Sequence, residues 1–179
     1  MNTKRIVITG GPGTGKSSII GELKRRGYNC FDEISRQVTL EARKKGIEQL
    51  FLTEPLKFSE MLLEGRRRQF TEALQQEHNT VFYDRGIPDV LAYMDYIGDQ
   101  YPVSFVDMCE RHTYNHVFVL APWQEIFQSD SERYENFEQA VNIHKHLVTT
   151  YARYGYELQD VPFGSVSTRT DFILGLLNL

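Results

Sequence analysis

Short apolar runs alternate with amphipathic stretches along the chain. Runs centred on Ile6-Val7-Ile8, Val81-Phe82-Tyr83 and Val117-Phe118-Val119-Leu120 are apolar and, but for Leu120, β-branched or aromatic, as strands buried on both faces are. Tyr28–Asp32 and Tyr156–Val161 read as two further strands. Between them, Ser17–Arg26 places Ile19, Ile20 and Leu23 at helical spacing and closes on Gly27. Further helices are expected over Ile34–Lys45, from Pro55 to about Glu77, over Ile87–Ile97 and Pro102–Arg111, from the polar stretch Gln128–Arg133 to Tyr154, and over Ser167–Leu177. Ile47–Glu54 reads as irregular. Five strands alternating with helices predict a doubly wound α/β domain, a parallel sheet with helices on both faces, spanning 1–179. Ligands of such sheets sit at the carboxyl ends of the strands, which brings Gly10–Ser17, Asp32–Glu33 and Asp84–Arg85 to one edge.

The first strand runs into ITGGPGTGKSS, Ile8 to Ser18, where Gly10, Gly15, Lys16 and Ser17 fill the fixed places of G-x-x-x-x-G-K-[ST]. Without Cβ atoms such a turn aims successive backbone N–H groups into one concavity, beside the positive end of the following helix. Gly11, Pro12, Gly13, Thr14, Gly15, Lys16, Ser17 and Ser18 are therefore assigned to nucleotide phosphate, with ATP as the expected nucleotide. Lys16 is assigned to the β- and γ-phosphates, and the Ser17 hydroxyl to Mg2+.

The chain has 179 residues, 41% hydrophobic and 25% charged, the composition of an ordinary globular domain. Its net charge of −4 argues against a broad nucleic-acid surface. No apolar run approaches the roughly 18 residues of a membrane span. The first strand starts almost at Met1, leaving no room for a signal peptide, and a cytoplasmic location is expected. Cys30 and Cys109 are read as reduced thiols, and zinc-like ligand spacing is absent.

Asp84, Arg85, Glu33 with Arg36, Arg66 and Arg133 carry further candidate chemistry. Asp84 ends an apolar strand, where a magnesium-binding acid or a simple cap of the next turn would both sit. Arg85 follows it, suited to a second phosphate or a substrate oxygen, and Gly86 lets the chain turn sharply. Glu33 is either half of a surface pair with Arg36 or an acid that takes a proton from an acceptor hydroxyl, with Arg36 orienting it. Arg66 shares a helical stripe with Leu62, Phe70 and Ala73, so its guanidinium either meets an acid or a ligand, the acceptor being the preferred reading, or snorkels, whereas Arg67 and Arg68 point elsewhere. Arg133, in a polar stretch between a strand and a long helix, is either a lid arginine over the transferring phosphate or a solvated residue beside Glu132 and Glu135. The lid is expected over residues 122–140.

The segments GGPGTGKS, DEISR (Asp32–Arg36), YDRGIPDVLAY (Tyr83–Tyr93), SERYE (Ser131–Glu135) and GYELQDVP (Gly155–Pro162) together resemble the small P-loop proteins of the NadR kinase-domain-like group, relatives of nucleoside and nucleotide kinases. The resemblance implies sheet order 2-3-1-4-5. It also implies Lys16 and Ser17 at phosphate and magnesium, Asp84 and Arg85 at metal and acceptor, Arg133 as lid, and Pro162–Ser167 as a wall for the base. One departure is the single lid arginine, where many nucleoside kinases place two.

Two functions fit. One is an ATP- and magnesium-dependent kinase acting on a nucleoside-like small molecule, with Lys16, Glu33, Asp84 and Arg133 catalytic and Arg36, Arg66 and Arg85 binding the acceptor. The other is a nucleotide-gated module or slow ATPase that recognises a lipid headgroup or a protein. A GTPase switch is disfavoured because no N-K-x-D segment is present, and a full AAA+ motor is disfavoured by length.

Overall fold

The apolar runs form the middle of the sheet. The computed structural model describes residues 3–44, 46–47, 50–75, 79–127 and 135–179. Strands β1 (Lys4–Gly10), β2 (Asn29–Phe31), β3 (Thr80–Asp84), β4 (His116–Leu120) and β5 (Leu158–Val161) pair in parallel, in the order β2-β3-β1-β4-β5. Period-2 alternation divides their side chains between two cores. Ile6, Ile8, Phe82, Phe118 and Leu120 pack on α1 (Lys16–Arg25) and α8 (Val166–Leu177). Val7, Val81, Tyr83 and Val117 face α2 (Ser35–Lys44), α4 (Pro55–Glu72), α5 (Pro88–Ile97), α6 (Val103–Arg111) and α7 (Phe137–Arg153).

Two element boundaries depart from the sequence reading. The stretch expected to be irregular contains a one-turn helix, α3 (Leu50–Thr53), because burying Leu50 against the core gives that turn an anchor. Helix α4 stops at Glu72 and continues as a 3₁₀ turn over Ala73–Gln75, short of the expected end near Glu77; residues 76–78 lie outside the described residues.

The strand order puts a topological switch point at β1, flanked by β3 and β4, and the crevice that results opens over the carboxyl ends of the strands. Register fixes what meets there: Asp84 lies opposite Ile8, and Leu120 opposite Gly10. The turn leaving β3 differs from expectation. Its left-handed residue is Arg85, at φ 74°, with the Arg85 amide donating to the Ile8 carbonyl at 3.0 Å. Gly86 is needed for space instead. A Cβ there would lie 2.6 Å from the Tyr151 hydroxyl and 3.1 Å from both the Tyr114 ring and Val7.

That crowding gives a test. Gly86→Ala is expected to destabilise the protein by about 1–3 kcal/mol, the usual cost of overpacking a tight core. Gly21→Ala, where a Cβ meets nothing within 4 Å, should be neutral or stabilising. Urea unfolding of the two variants checks this, and equal stabilities would contradict the assignment of Gly86.

Candidate functional site

The glycine-rich loop joins β1 to α1. Helix α1 is entered through Gly15 in the left-handed region, φ 87°, with no side chain capping its first turn, so the amides there are left to a ligand. Lys16 is buried, and its Nζ donates to the Gly11 carbonyl at 2.7 Å and to Thr14 Oγ1 at 3.3 Å. Burial, aided by the nearby Arg85 charge, brings its pKa down to about 7 against the opposing pull of Asp84, Glu33 and Asp89. A lysine so desolvated gains from an incoming anion.

Asp84 closes β3 and is 5% exposed, and its Oδ1 is buried without a hydrogen-bond partner. Burial pushes its pKa up; Lys16 and Arg85 oppose this, while Glu33 and Asp89 add to it. An orphaned carboxylate oxygen beside a loop that also presents the Ser17 hydroxyl is a donor set suited to a hard cation such as Mg2+, which keeps waters and phosphate oxygens in its remaining positions.

Glu33 follows β2 and is clasped by arginines from two other elements. Arg66 Nη2 donates to its Oε1 at 3.1 Å, Arg85 Nε closes on its Oε2, and the Ser35 amide donates to Oε1 at 3.2 Å. Burial opposes ionisation, but the Arg66 and Arg85 charges and the Ser35 amide outweigh it and hold the pKa below the usual carboxylate range. Arg66, 3% exposed on the inward stripe of α4, spends a second nitrogen on the Gly86 carbonyl at 2.7 Å. It is neither snorkelling nor free: it ties α4 to the β3 turn and to Glu33. Arg67 and Arg68 pair with Glu64 on the helix surface.

One cleft of about 600 Å³ connects these groups. Residues 12–18 form one end, Glu33, Arg66, Asp84 and Arg85 the floor, and α2 contributes Arg36, Thr39, Leu40 and Arg43. The far wall is apolar: Phe51, Phe58, Leu62, Val90, Tyr93 and Ile143. Arg133 and the rest of 128–134 lie outside the described residues.

Several residues at the site carried no role in the sequence reading. Asp89, buried on α5, accepts from Thr9 Oγ1 (2.6 Å), the Gly86 amide (2.9 Å) and the Tyr151 hydroxyl (2.6 Å), and takes Arg85 Nη1 at 3.3 Å. Its signal was an aspartate set among Ile87, Val90 and Leu91, on a helix with little polar surface. Arg169 of α8, a helix packed beside α1, donates to the Thr14 carbonyl of the phosphate loop at 3.0 Å. Trp123 stacks on the half-exposed Phe163 at 4.9 Å, within the segment the resemblance gives to the base. Cys30 and Cys109 are free thiols, and among the described residues no helix is long and apolar enough to cross a membrane.

The phosphate loop, its register beside Asp84 and the sheet order agree with the family to which the sequence matches, described as an AAA domain (AAA_28), over residues 5–169. The chain belongs to that family. No curated protein matches the sequence. Solved structures match the fold. Deoxyadenosine kinase from M. mycoides with products dCMP and a flexible dCDP bound superposes with TM-score 0.72 at 20% identity, over 97% of this chain and 98% of that one. NadR protein in complex with NR gives TM-score 0.77 at 14% identity, over 98% of this chain, which spans 50% of that one. Thymidylate kinase from Ehrlichia chaffeensis gives 0.65 at 14%, over 99% and 100%. The fold is that of P-loop nucleoside and nucleotide kinases.

Asp89 is the group whose loss this geometry makes most costly. Asp89→Leu leaves three buried donors unpaired and takes from Arg85 one of its two carboxylates, and is expected to cost about 3 kcal/mol or more. Tyr151→Phe, which removes a single hydrogen bond, should cost about 1 kcal/mol. Equilibrium denaturation measures both, and a loss below about 1 kcal/mol for Asp89→Leu would refute the network.

Proposed function

We propose that the protein is a magnesium-dependent kinase that transfers the γ-phosphoryl group of ATP to a hydroxyl of a nucleoside-like small molecule. The observation that carries this reading is Glu33, half-buried and held ionised between Arg66 and Arg85, in one cleft with the phosphate loop. Gathering three charged groups away from most of the solvent is costly, and holding a nucleotide's phosphates does not by itself call for them. A positioned base for an acceptor hydroxyl does. The apolar wall opposite suits a ring, and the fold is shared with kinases whose bound molecules are named as dCMP, dCDP and NR.

In this reading the backbone N–H groups of Gly11 and residues 13–18, with Lys16, bind the triphosphate. Ser17 and Asp84 would hold Mg2+, which would supply positive charge to offset that of the phosphates. Phe58, Leu62, Val90 and Tyr93 take the acceptor's ring, and Arg36 and Arg85 its polar groups, while Arg66 fixes Glu33. The acceptor oxygen bonds to the γ-phosphorus as the bond from that phosphorus to the β-phosphate oxygen breaks. Glu33 takes the hydroxyl proton, and ADP leaves. A low pKa on Glu33 is no obstacle, because proton transfer lags phosphorus–oxygen bond change in a loose transition state.

Incubation with ATP labelled in the γ-phosphate, against a panel of nucleosides and nucleoside monophosphates, tests the reading. Label is expected on an acceptor, and Glu33→Gln should lower kcat by about 10²-fold or more with little change in ATP affinity. Label released only as free phosphate, whatever the acceptor, would overturn the kinase and favour a slow ATPase or a nucleotide-gated module.

A further inference from the structure

Arg169 has an environment that the fold alone does not explain. It is 2% exposed, on the buried stripe of α8 that continues through Ile173 and Leu177. Its Nη1 donates to the Thr14 carbonyl at 3.0 Å, and that same nitrogen lies 2.8 Å from where a Cβ on Gly15 would be. Its Nε and Nη2 are buried and have no hydrogen-bond partner. The guanidinium sits 5.8 Å over the Trp123 ring, and among the described residues no carboxylate pairs with it. Burial lowers its pKa, and no acidic neighbour among the described residues opposes that.

Arg66 and Arg85, the other arginines on the loop's edge of the sheet, are compensated by Glu33 and Asp89. Arg169 differs. A buried guanidinium without an acid is unfavourable unless an anion arrives, and the loop it grips is the anion-binding element of the fold. Gripping the Thr14 carbonyl also directs the loop's N–H groups the other way, into the cleft. Only a glycine at position 15 leaves room for that approach.

We propose that Arg169 is a positioning residue for the nucleotide's polyphosphate: from behind the loop it fixes the Thr14–Gly15 peptide and supplies the counter-charge that the phosphates complete. This rests on the reading of the loop as a nucleotide site and extends that site to α8, on the opposite face of the sheet from the acceptor wall. Charge and hydrogen bond are separable. A merely structural arginine would be replaceable by any donor to the Thr14 carbonyl. A counter-charge would not.

Calorimetric titration with ATP and with inorganic tripolyphosphate tests the proposal on the full chain. Arg169→Gln keeps a donor for Thr14 and removes the charge; it should weaken both ligands by about tenfold or more, while Arg169→Lys, which keeps the charge, stays within a few-fold of wild type. Arg169→Met, which removes the hydrogen bond as well, should lose at least as much as Arg169→Gln, and without ligand Arg169→Gln should melt no lower than wild type, since an uncompensated buried charge has gone. Wild-type affinity in Arg169→Gln, or equal losses in the Lys and Gln variants, overturns the proposal and leaves the nucleotide site standing. Failure of the wild type to bind either ligand overturns the reading beneath it. Should the Met variant not fold, the Gln and Lys pair decides alone.

Discussion

A carboxylate almost closed to solvent, that of Asp89, accepts hydrogen bonds from the last residue before the glycine-rich loop, from the amide of the β3 turn and from a tyrosine of α7, and also holds Arg85. Each bond reaches a different element, so one side chain sets the distance between the phosphate end of the cleft and its acceptor end. The left-handed backbone at Arg85 is part of the same constraint. It bends the chain so that Asp84 faces the loop while the next side chain folds back onto Glu33 and Asp89. Buried polar networks are favourable only when every member is satisfied, and this one is satisfied through contacts that come together only in the folded chain.

From that hub the charges run outward in alternation. Asp89 holds Arg85, Arg85 holds Glu33, Glu33 holds Arg66, and Arg66 returns to the Gly86 carbonyl. The chain of pairs closes on the turn from which it starts, so β2, β3, α4 and α5 are locked by electrostatics as well as by the core. Buried atoms without a hydrogen-bond partner here include Glu33 Oε2 and Arg66 Nε within the ring, Asp84 Oδ1 beside it, and Nε and Nη2 of Arg169 behind the loop. A negative orphan suits a cation and a positive one suits an anion, which is the charge pattern of a metal-bound polyphosphate.

Much of this was legible in the sequence, and the failures are physical. The three apolar runs and the glycine punctuation gave the strands and most helices, because both cores are built by plain period-2 and period-3.6 patterns. The phosphate loop was legible because its spacing is set by backbone geometry. The inward phase of Arg66 was also correct, but its partners were not foreseeable: Gly86 and Glu33 lie 20 and 33 residues away. Glu33 looked like the partner of Arg36, its neighbour in sequence, whereas the guanidinia that clasp it come from α4 and the β3 turn. Arg169 could have been found by the rule applied to Arg66, since Ile173 and Leu177 follow it at helical spacing. The turn after β3 misled because the glycine there serves close packing, and the strained φ falls on an arginine.

The central claim is that two guanidinia hold Glu33 ionised in the ligand-free protein, and its own titration tests that most directly. The Glu33 side-chain carboxyl signal, followed by carbon NMR as the pH is lowered, should titrate below the ordinary glutamate value of about 4.3. In Arg66→Met the midpoint should rise, because one of the two compensating charges has gone while the burial remains. A Glu33 carboxyl that titrates at or above the ordinary value in the folded wild type, or that ignores the loss of Arg66, would contradict the account.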